Sequence, residues 1–388
     1  MVFWITFLLA FLVAFACTPV AMKIAPMIGA VDVPKDTRRM HTKPMPRFGG
    51  LAIFVGAMIS VCWVTWFGWP MLQEHFSDIG AYVMPQPIKS MYGVIIGGVL
   101  IYLLGITDDL KNLPAKFKFV AQLLIACVPY AFGVRILFFT NHFGNIFGST
   151  QTLGVLPGVV SFFVTIIWIV GITNTVNLID GLDGLAGGVA SISSLCLAYV
   201  AYIHGSYLPA LGMLAIAGGA LGFLPFNFHP AKTFMGDGGS LFLGYMLSTL
   251  SIVGPVKSAT IMAVIIPVLV LGVPIFDTAF AILRRVVNRR PIMEADKGHL
   301  HHRLMAAGMG QRRTVLMLYG ISGIMGVAAV LFSRELYVET LGLLAIASMY
   351  IYVFLTDANN WRLQIKAVNI QEEEKQQAKM EKKEKKNR

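Results

Sequence analysis

Mostly apolar runs, each about 20 residues long, recur along the whole chain of 388 residues. A helix of that length crosses a hydrocarbon core about 30 Å thick. Inside a bilayer every backbone polar group must pair within the protein, and continuous helices achieve this. Charged residues make up only 13% of the chain, far below the roughly 25% of soluble domains. The sequence therefore predicts an all-α, polytopic membrane protein whose core is the helical bundle itself.

Eleven transmembrane helices are predicted. The first apolar run is interpreted as a transmembrane helix and not as a signal peptide, because no basic segment precedes it. Their approximate spans are 2–22, 48–68, 90–106, 117–133, 155–173, 184–203, 207–225, 239–255, 259–283, 314–332 and 337–355. They form one membrane domain, 1–355. The remaining segment, 356–388, is expected to be a charged, solvated and disordered cytoplasmic tail, and a helix lying near anionic headgroups is the alternative.

Lysine and arginine predict the orientation of these helices, because they accumulate in cytoplasmic loops. In the eleven-helix arrangement, 27 of the 31 basic residues fall on one side of the membrane. That side is expected to be cytoplasmic, with the N-terminus outside and the C-terminus inside. This asymmetry and the basic tail account for the net charge of +11, so no nucleic-acid partner is expected.

Five loops with unusual polar residues fall on that same cytoplasmic side. They read VDVPKDTRRMHTKPMPRFGG (31–50), TDDLKNLPAKFKFVAQ (107–122), NTVNLIDGLDG (174–184), NFHPAKTFMGDGGS (227–240) and ADKGHLHHRL (295–304). Loops with purely structural roles would not all be on one side. The sequence therefore predicts one composite site, where the lipid meets the cytosol.

Asn174, Asn177, Asp180 and Asp183 follow one apolar run at a spacing of three. Helical residues three apart share a face, so these four are expected to form a polar stripe. A carboxylate at mid-membrane costs about 2.5–3.5 kcal/mol on insertion scales, and these must therefore face water, a cation or basic partners. Ordinary helix capping would explain one polar residue but not four in register.

Two further acidic motifs lie in these loops. Asp108 and Asp109 end another apolar helix, but their side chains are expected to point about 100° apart, with Lys118 nearby. Asp237 stands among glycines in FMGDGGS, where backbone amides could approach an oxyanion or a hydrated metal. Carboxylate and amide oxygens suit Mg²⁺, with Mn²⁺ as the alternative.

The histidines of HLHHRL suit contacts to a diphosphate or a sugar better than zinc, because no cysteine cluster accompanies them. Carboxylates and amides for Mg²⁺, together with lysine, arginine and histidine for phosphates, are what phosphoryl transfer requires. The residues predict transfer from a soluble nucleotide-linked donor to a lipid phosphate. A transporter with acids along an ion path is the alternative from another class.

At this point the chain resembles the polyprenyl-phosphate N-acetylhexosamine-1-phosphate transferases over nearly all of residues 1–355. Six motifs carry the resemblance in the family's order: RFGGLAIF, GITDDL, NTVNLIDGLDGLAGG, NFHPAKTFMGDGGSLFLGY, GVPIFDTAFAILRR and DKGHLHHRLM. It looks closest to the bacterial branch that begins wall teichoic acid linkage units and related surface glycans. Gly238 departs from the pattern, since many relatives carry threonine there.

The resemblance implies UDP-GlcNAc as donor, undecaprenyl phosphate as acceptor, Mg²⁺ as cofactor and UMP as leaving group, in a bacterial plasma membrane. A different UDP-sugar is the alternative donor. Membrane lipids surround the protein, and a homo-oligomer is compatible with the sequence. The implied catalytic residues are Asp108, Asp109, Asp180 and Asp183, and the implied metal ligands are Asp237 and Asn177. The substrate-binding residues are Lys118, Asn174, His299, His301, His302 and Arg303.

Overall fold

The computed structural model describes residues 1–33, 44–78, 88–140, 153–155, 157–253, 260–287, 304–305, 309–350 and 352–353. The helices are α1 (Val2–Met27), α2 (Gly50–Trp63), α3 (Trp69–Asp78), α4 (Ile88–Lys111), α5 (Ala115–Ala131), α6 (Gly158–Ile179), α7 (Leu185–Ile203), α8 (Tyr207–Asn227), α9 (Gly236–Val253), α10 (Thr260–Val270), α11 (Gly272–Val287), α12 (Gln311–Ser333) and α13 (Tyr337–Tyr350). The strands are β1 (Val31–Asp32), β2 (Met45–Pro46), β3 (Phe138–Thr140) and β4 (Leu153–Val155).

The chain is a multi-pass helical membrane protein, and each predicted span overlaps one or two of these helices. Seven helical segments in the described part of the chain are long and apolar enough to cross a membrane. They are Val2–Met27, Gly50–His75, Ile88–Lys111, Gly158–Ile179, Leu185–Ile203, Tyr207–Asn227 and Gln311–Ser333. The remaining helices are shorter or less apolar. The count of eleven spans and the orientation stay predictions.

One detail of the predicted fold is wrong. The span 259–283 is not one helix but two, α10 and α11, which are separated at Leu271. Pro274 lies in the first turn of α11 and has no N–H to continue the hydrogen bonding of α10. The all-α prediction is consistent with the mostly helical structure, in which two short hairpins accompany the helices: β1 pairs antiparallel with β2, and β3 with β4. These hairpins pair backbone groups of the segments between helices.

Helices α8 and α9 form the centre of the bundle. Helix α9 packs against α2, α4, α6 and α8, and α8 also contacts α1 and α7. Almost every side chain of α9 is buried, including the large residues Phe242 and Tyr245. A helix that is apolar on all faces belongs in such a central position. Because α9 begins at Gly236, this packing places Asp237 where several helix ends meet.

Small residues allow the outer helix α1 to lie close to α8. A Cβ atom added at Gly218 would lie 2.4 Å from the carbonyl oxygen of Phe7, and one at Gly222 2.3 Å from that of Phe11. Close contact between helix backbones at small residues is a common way to pack helices in membranes. The contact fixes α1 against the bundle, and with it the start of the loop that leads to β1 and β2.

Candidate active site

Asp237 lies in the first turn of α9 and is the centre of the polar cluster. Its Oδ1 atom accepts hydrogen bonds from Asn177 Nδ2 at 3.0 Å and from Arg47 Nη2 at 3.2 Å. Its Oδ2 atom accepts one from Lys118 Nζ at 2.6 Å. The Asn177 amide also donates to the Ser240 hydroxyl, which fixes the end of α6 on the start of α9. Residues from four distant parts of the sequence therefore meet at one carboxylate.

Asp108 and Asp109, in the last turn of α4, point to different partners, as their adjacent positions in a helix predict. Asp108 Oδ2 accepts a hydrogen bond from Lys118 Nζ at 2.7 Å, and its Oδ1 accepts one from the Leu113 backbone N–H at 2.7 Å. The latter bond stabilises the turn after α4, where Asn112 has a left-handed backbone (φ 49°). Lys118 therefore joins Asp108 to Asp237.

Asp109 binds the beginning of α9. Its two oxygens accept hydrogen bonds from the backbone N–H groups of Asp237 at 2.8 Å and Gly238 at 2.9 Å. The sequence predicted that such amides could approach an oxyanion or a hydrated metal, but these two bind a carboxylate of the protein itself. Gly236 permits this arrangement, because its φ is +73° and a Cβ atom there would lie 2.6 Å from Asp109 Oδ2.

Arg47 belongs to this cluster, although sequence analysis did not select it. Its Nε atom lies 3.0 Å from Asp109 Oδ1, and its Nη2 atom 3.2 Å from Asp237 Oδ1. Burial alone would lower the pKa of Arg47, but the carboxylates of Asp109 and Asp237 raise it above the ordinary value. The signal that could have identified Arg47 is the RFGG motif, in which the arginine stands two residues before a glycine pair in a predicted site loop.

Backbone hydrogen bonds place Arg47 beside α9. The Phe234 N–H donates to the Pro46 carbonyl at 2.8 Å, and the Gly49 N–H donates to the Phe234 carbonyl at 2.9 Å. The Gly50 N–H donates to the Met235 carbonyl at 2.9 Å. The segment before α2 is thus paired with the segment before α9, so the loops 31–50 and 227–240 meet as the composite-site prediction requires.

The predicted polar stripe is not continuous, because α6 ends at Ile179. Asn177 reaches Asp237, whereas Asn174 donates to the Gln122 side chain and to the Val170 carbonyl, away from that carboxylate. Asp180 follows the last helical residue, and burial together with the negative charge of Asp237 raises its pKa to about 7. The glycines after Asp180 favour the turn that breaks the register.

Asp183 lies in the turn between α6 and α7 and forms a second polar pair. Its Oδ2 atom lies 2.8 Å from His229 Nδ1 and accepts a hydrogen bond at 3.2 Å from the Ala231 N–H. His229 precedes Pro230 in the loop that leads to α9, and sequence analysis did not select it for the site. The predicted donor loop, His299, His301, His302 and Arg303, lies outside the described residues.

The oxygen atoms around Asp237 fit Mg²⁺ in chemical kind. Mg²⁺ is commonly held by one or two carboxylates together with substrate phosphates, and Asp237 and Asn177 offer one carboxylate and one amide. The described part of the chain contains no group of three or more His, Cys, Asp or Glu arranged to hold a metal by itself. A metal here would thus depend on phosphate oxygens of a substrate, and it would compete with Arg47 and Lys118 for Asp237.

Comparisons with known proteins identify relatives over most of the chain. Residues 91–255 match glycosyl transferase family 4. The chain is 40% identical to a probable undecaprenyl-phosphate N-acetylglucosaminyl 1-phosphate transferase of Bacillus subtilis (strain 168), over 84% of each chain. It is 36% identical to a decaprenyl-phosphate N-acetylglucosaminephosphotransferase of Mycolicibacterium smegmatis, over 84% of this chain and 81% of the relative. Over 119 residues, 30% of this chain and 34% of the relative, it is 39% identical to a phospho-N-acetylmuramoyl-pentapeptide-transferase of Moorella thermoacetica.

Proposed function

Since the chain belongs to the polyprenyl-phosphate N-acetylhexosamine-1-phosphate transferase family, as its motifs predict, we propose that it transfers GlcNAc-1-phosphate from UDP-GlcNAc to undecaprenyl phosphate. The reaction releases UMP at the cytoplasmic membrane face. The product, undecaprenyl-diphospho-GlcNAc, begins the synthesis of wall teichoic acid or a related surface glycan. The names of the relatives support the sugar phosphate and the polyprenyl acceptor.

The observation that carries the proposal is the mixed charge around Asp237. The Asn177 amide and the two cations Arg47 and Lys118 each place a nitrogen atom within 3.2 Å of an Asp237 carboxylate oxygen. In the proposed reaction an anionic acceptor must approach an anionic diphosphate, and the barrier is lowered by positioning and charge neutralisation. A cluster that offers cations together with carboxylate and amide ligands matches that requirement.

In the proposed mechanism the lipid phosphate oxygen attacks the phosphorus that carries the sugar, and UMP leaves. No sugar bond breaks, so the anomeric configuration is retained. Asp237 and Asn177 would hold Mg²⁺, which when bound neutralises the diphosphate and helps UMP depart. Lys118, which contacts both Asp108 and Asp237, would neutralise the attacking or departing phosphate. Asp109 holds the first turn of α9 and thereby positions Asp237.

The positions of the acids favour an enzyme over a transporter. Acids that line ion paths usually lie near the bilayer midplane, often at broken helices. Asp108 and Asp109 lie in the last turn of α4, Asp180 directly after α6 and Asp237 in the first turn of α9. Because these are helix ends, the carboxylates are near a membrane surface, where a soluble donor can reach them.

The test is a panel of UDP-sugars with undecaprenyl phosphate, in which purified protein is assayed for UMP release. UDP-GlcNAc is expected to be the preferred donor, and Asp237→Asn to reduce the rate at least about 100-fold, equal to about 2.7 kcal/mol of barrier. Glu339→Gln removes an exposed carboxylate on α13 and should leave the rate unchanged. Preference for another UDP-sugar would correct the donor. No UMP from any donor, with lipid and Mg²⁺ present, would refute the proposed reaction.

A further inference from the structure

Arg47, like Lys118, contacts two carboxylates of the cluster, and the two that Arg47 contacts differ strongly in exposure. Its Nε atom pairs with Asp109, whose side chain is 2% exposed, and its Nη2 atom pairs with Asp237, whose side chain is 18% exposed. The Arg47 side chain itself is 32% exposed. One end of the guanidinium is therefore enclosed by protein, and the other end faces the accessible side of the cluster.

The enclosed end is fixed from both directions. Asp109 also binds the amides of Asp237 and Gly238, so its carboxylate has little freedom to move. The Arg47 backbone is held too, since its N–H donates to the Ala30 carbonyl at 2.8 Å and its neighbours pair with the segment before α9. A change of partner by Arg47 would thus involve its Nη atoms while the Nε contact to Asp109 is kept.

The two cationic side chains that contact Asp237 differ in the partners that remain for them when a divalent cation binds the Asp237 oxygens. Lys118 Nζ retains Asp108 as a partner at 2.7 Å. Arg47 Nη2, by contrast, loses its 3.2 Å ion pair with Asp237 on displacement. A guanidinium fork binds phosphate oxygens well, often with two parallel hydrogen bonds. The displaced end is then available to the phosphates that arrive with the metal.

We propose that Arg47 is an exchangeable counterion of Asp237. In the free protein its Nη2 atom neutralises Asp237 and competes with divalent cations. When Mg²⁺ and the nucleotide-diphosphate donor bind, the Nη atoms move to the donor's phosphates while Nε stays on Asp109. The identity of the donor rests on the proposed function, but the competition with divalent cations in the free protein does not.

Binding of Mn²⁺ without substrate tests the competition directly. Free Mn²⁺ is measured by electron paramagnetic resonance in titrations of the purified protein and of Arg47→Gln, Arg47→Lys, Lys232→Gln and Asp237→Asn. Arg47→Gln is expected to bind Mn²⁺ about three- to tenfold more tightly, because a charge near the ligand is removed. Asp237→Asn should abolish the tight site. Lys232→Gln removes an exposed charge before α9 and should match the unaltered protein.

The donor side of the exchange is tested with UDP-GlcNAc and saturating Mg²⁺. Arg47→Gln is expected to lower kcat/KM for the donor about tenfold or more, mainly by raising KM, whereas the KM for polyprenyl phosphate changes little. Tighter Mn²⁺ binding combined with weaker donor use cannot result from a loss of structure, which would weaken both. If the proposed reaction is absent, the Mn²⁺ titration still tests the competition.

Unchanged or weaker Mn²⁺ binding by Arg47→Gln would overturn the proposal and make Arg47 a support for the metal ligands. Arg47→Lys keeps the charge but loses the fork, and it is expected to bind Mn²⁺ within about twofold of the unaltered protein. If the lysine variant binds as tightly as the glutamine variant, competition by charge is refuted. The lysine variant also serves if the glutamine variant does not fold, since it should keep normal Mn²⁺ binding yet use the donor poorly.

Discussion

At the scale of single residues, neither carboxylate at the end of α4 has the surroundings of a nucleophile. The Asp109 side chain is 2% exposed, and it accepts hydrogen bonds from two backbone amides in addition to its pairing with Arg47. Asp108 pairs with Lys118 and accepts the Leu113 amide. A phosphomonoester has a second pKa near 6, so the lipid acceptor is mostly dianionic at pH 7 and needs little activation. These contacts favour direct transfer over a covalent phosphosugar-enzyme.

Isotope exchange distinguishes the two routes. Delipidated protein is incubated with Mg²⁺, UDP-GlcNAc and radiolabelled UMP, and label in UDP-GlcNAc is measured. Direct transfer gives no exchange until polyprenyl phosphate is added, because UMP is released only when the acceptor attacks. A covalent route exchanges label without lipid, by reversal of its first half-reaction. Lipid-independent exchange that is lost in Asp108→Asn would make that aspartate the nucleophile and refute direct transfer.

The sequence alone predicted most members of this cluster but not their contacts. Asp108, Asp109 and Asn177 were selected because charged and amide residues are unexpected at the ends of apolar helices. Asp237 was selected because it stands among glycines, and Lys118 was assigned through the family resemblance. Their pairing depends on tertiary contacts between segments as far apart as residues 47 and 237, which no local pattern specifies. Arg47 was missed because it is one of five basic residues in the loop 31–50, and the RFGG motif alone does not state that it pairs with Asp109 and Asp237.

At the scale of helices, close contacts between α9, α2 and α4 hold the cluster together. A Cβ atom at Gly105 of α4 would lie 2.5 Å from the Gly238 Cα atom, and one at Gly50 of α2 would lie 2.4 Å from the Gly239 N atom. The glycines of FMGDGGS therefore serve helix packing as well as the turn at Gly236. The motif is unusual in the sequence, but the sequence does not specify which helices approach it.

Gly105→Ala tests whether the close contact between α4 and α9 is required for stability and activity. The added methyl group would push α4 from the start of α9, where Asp109 binds two amides, and overpacking of this kind typically costs about 1–3 kcal/mol. We expect a lower melting temperature in detergent and slower UMP release. Gly171→Ala on α6 is the matched control, because a Cβ atom there meets nothing within 4 Å. If both variants were equally stable and active, the close contact of α4 and α9 would not be required.

At the scale of the whole molecule, the cluster requires five helix ends to lie on one face. Helices α4 and α6 end there, and α2, α5 and α9 begin there. The residues that meet at or near these five ends are, in the same order, Asp109, Asn177, Arg47, Lys118 and Asp237. The predicted order of crossings put the loops with these residues on one side of the membrane, which agrees with that geometry. The geometry does not state which side this is, and the excess of lysine and arginine predicts the cytoplasmic side.

Cysteine labelling in intact cells tests the orientation. On a background without Cys17, Cys62, Cys127 and Cys196, single cysteines are introduced as His75→Cys, Lys116→Cys and Met380→Cys. Lys116 is exposed on α5 two residues before Lys118, so its label reports on the face of the cluster, whereas His75 is exposed on α3 at the opposite end of the span Gly50–His75. An impermeant maleimide is expected to label His75→Cys alone, and the other two only after permeabilisation. UDP-sugars are made in the cytosol, so a cytoplasmic cluster can bind them. The reverse labelling pattern would place the cluster on the other side of the membrane from that donor. It would contradict the proposed function as well as the orientation predicted from lysine and arginine.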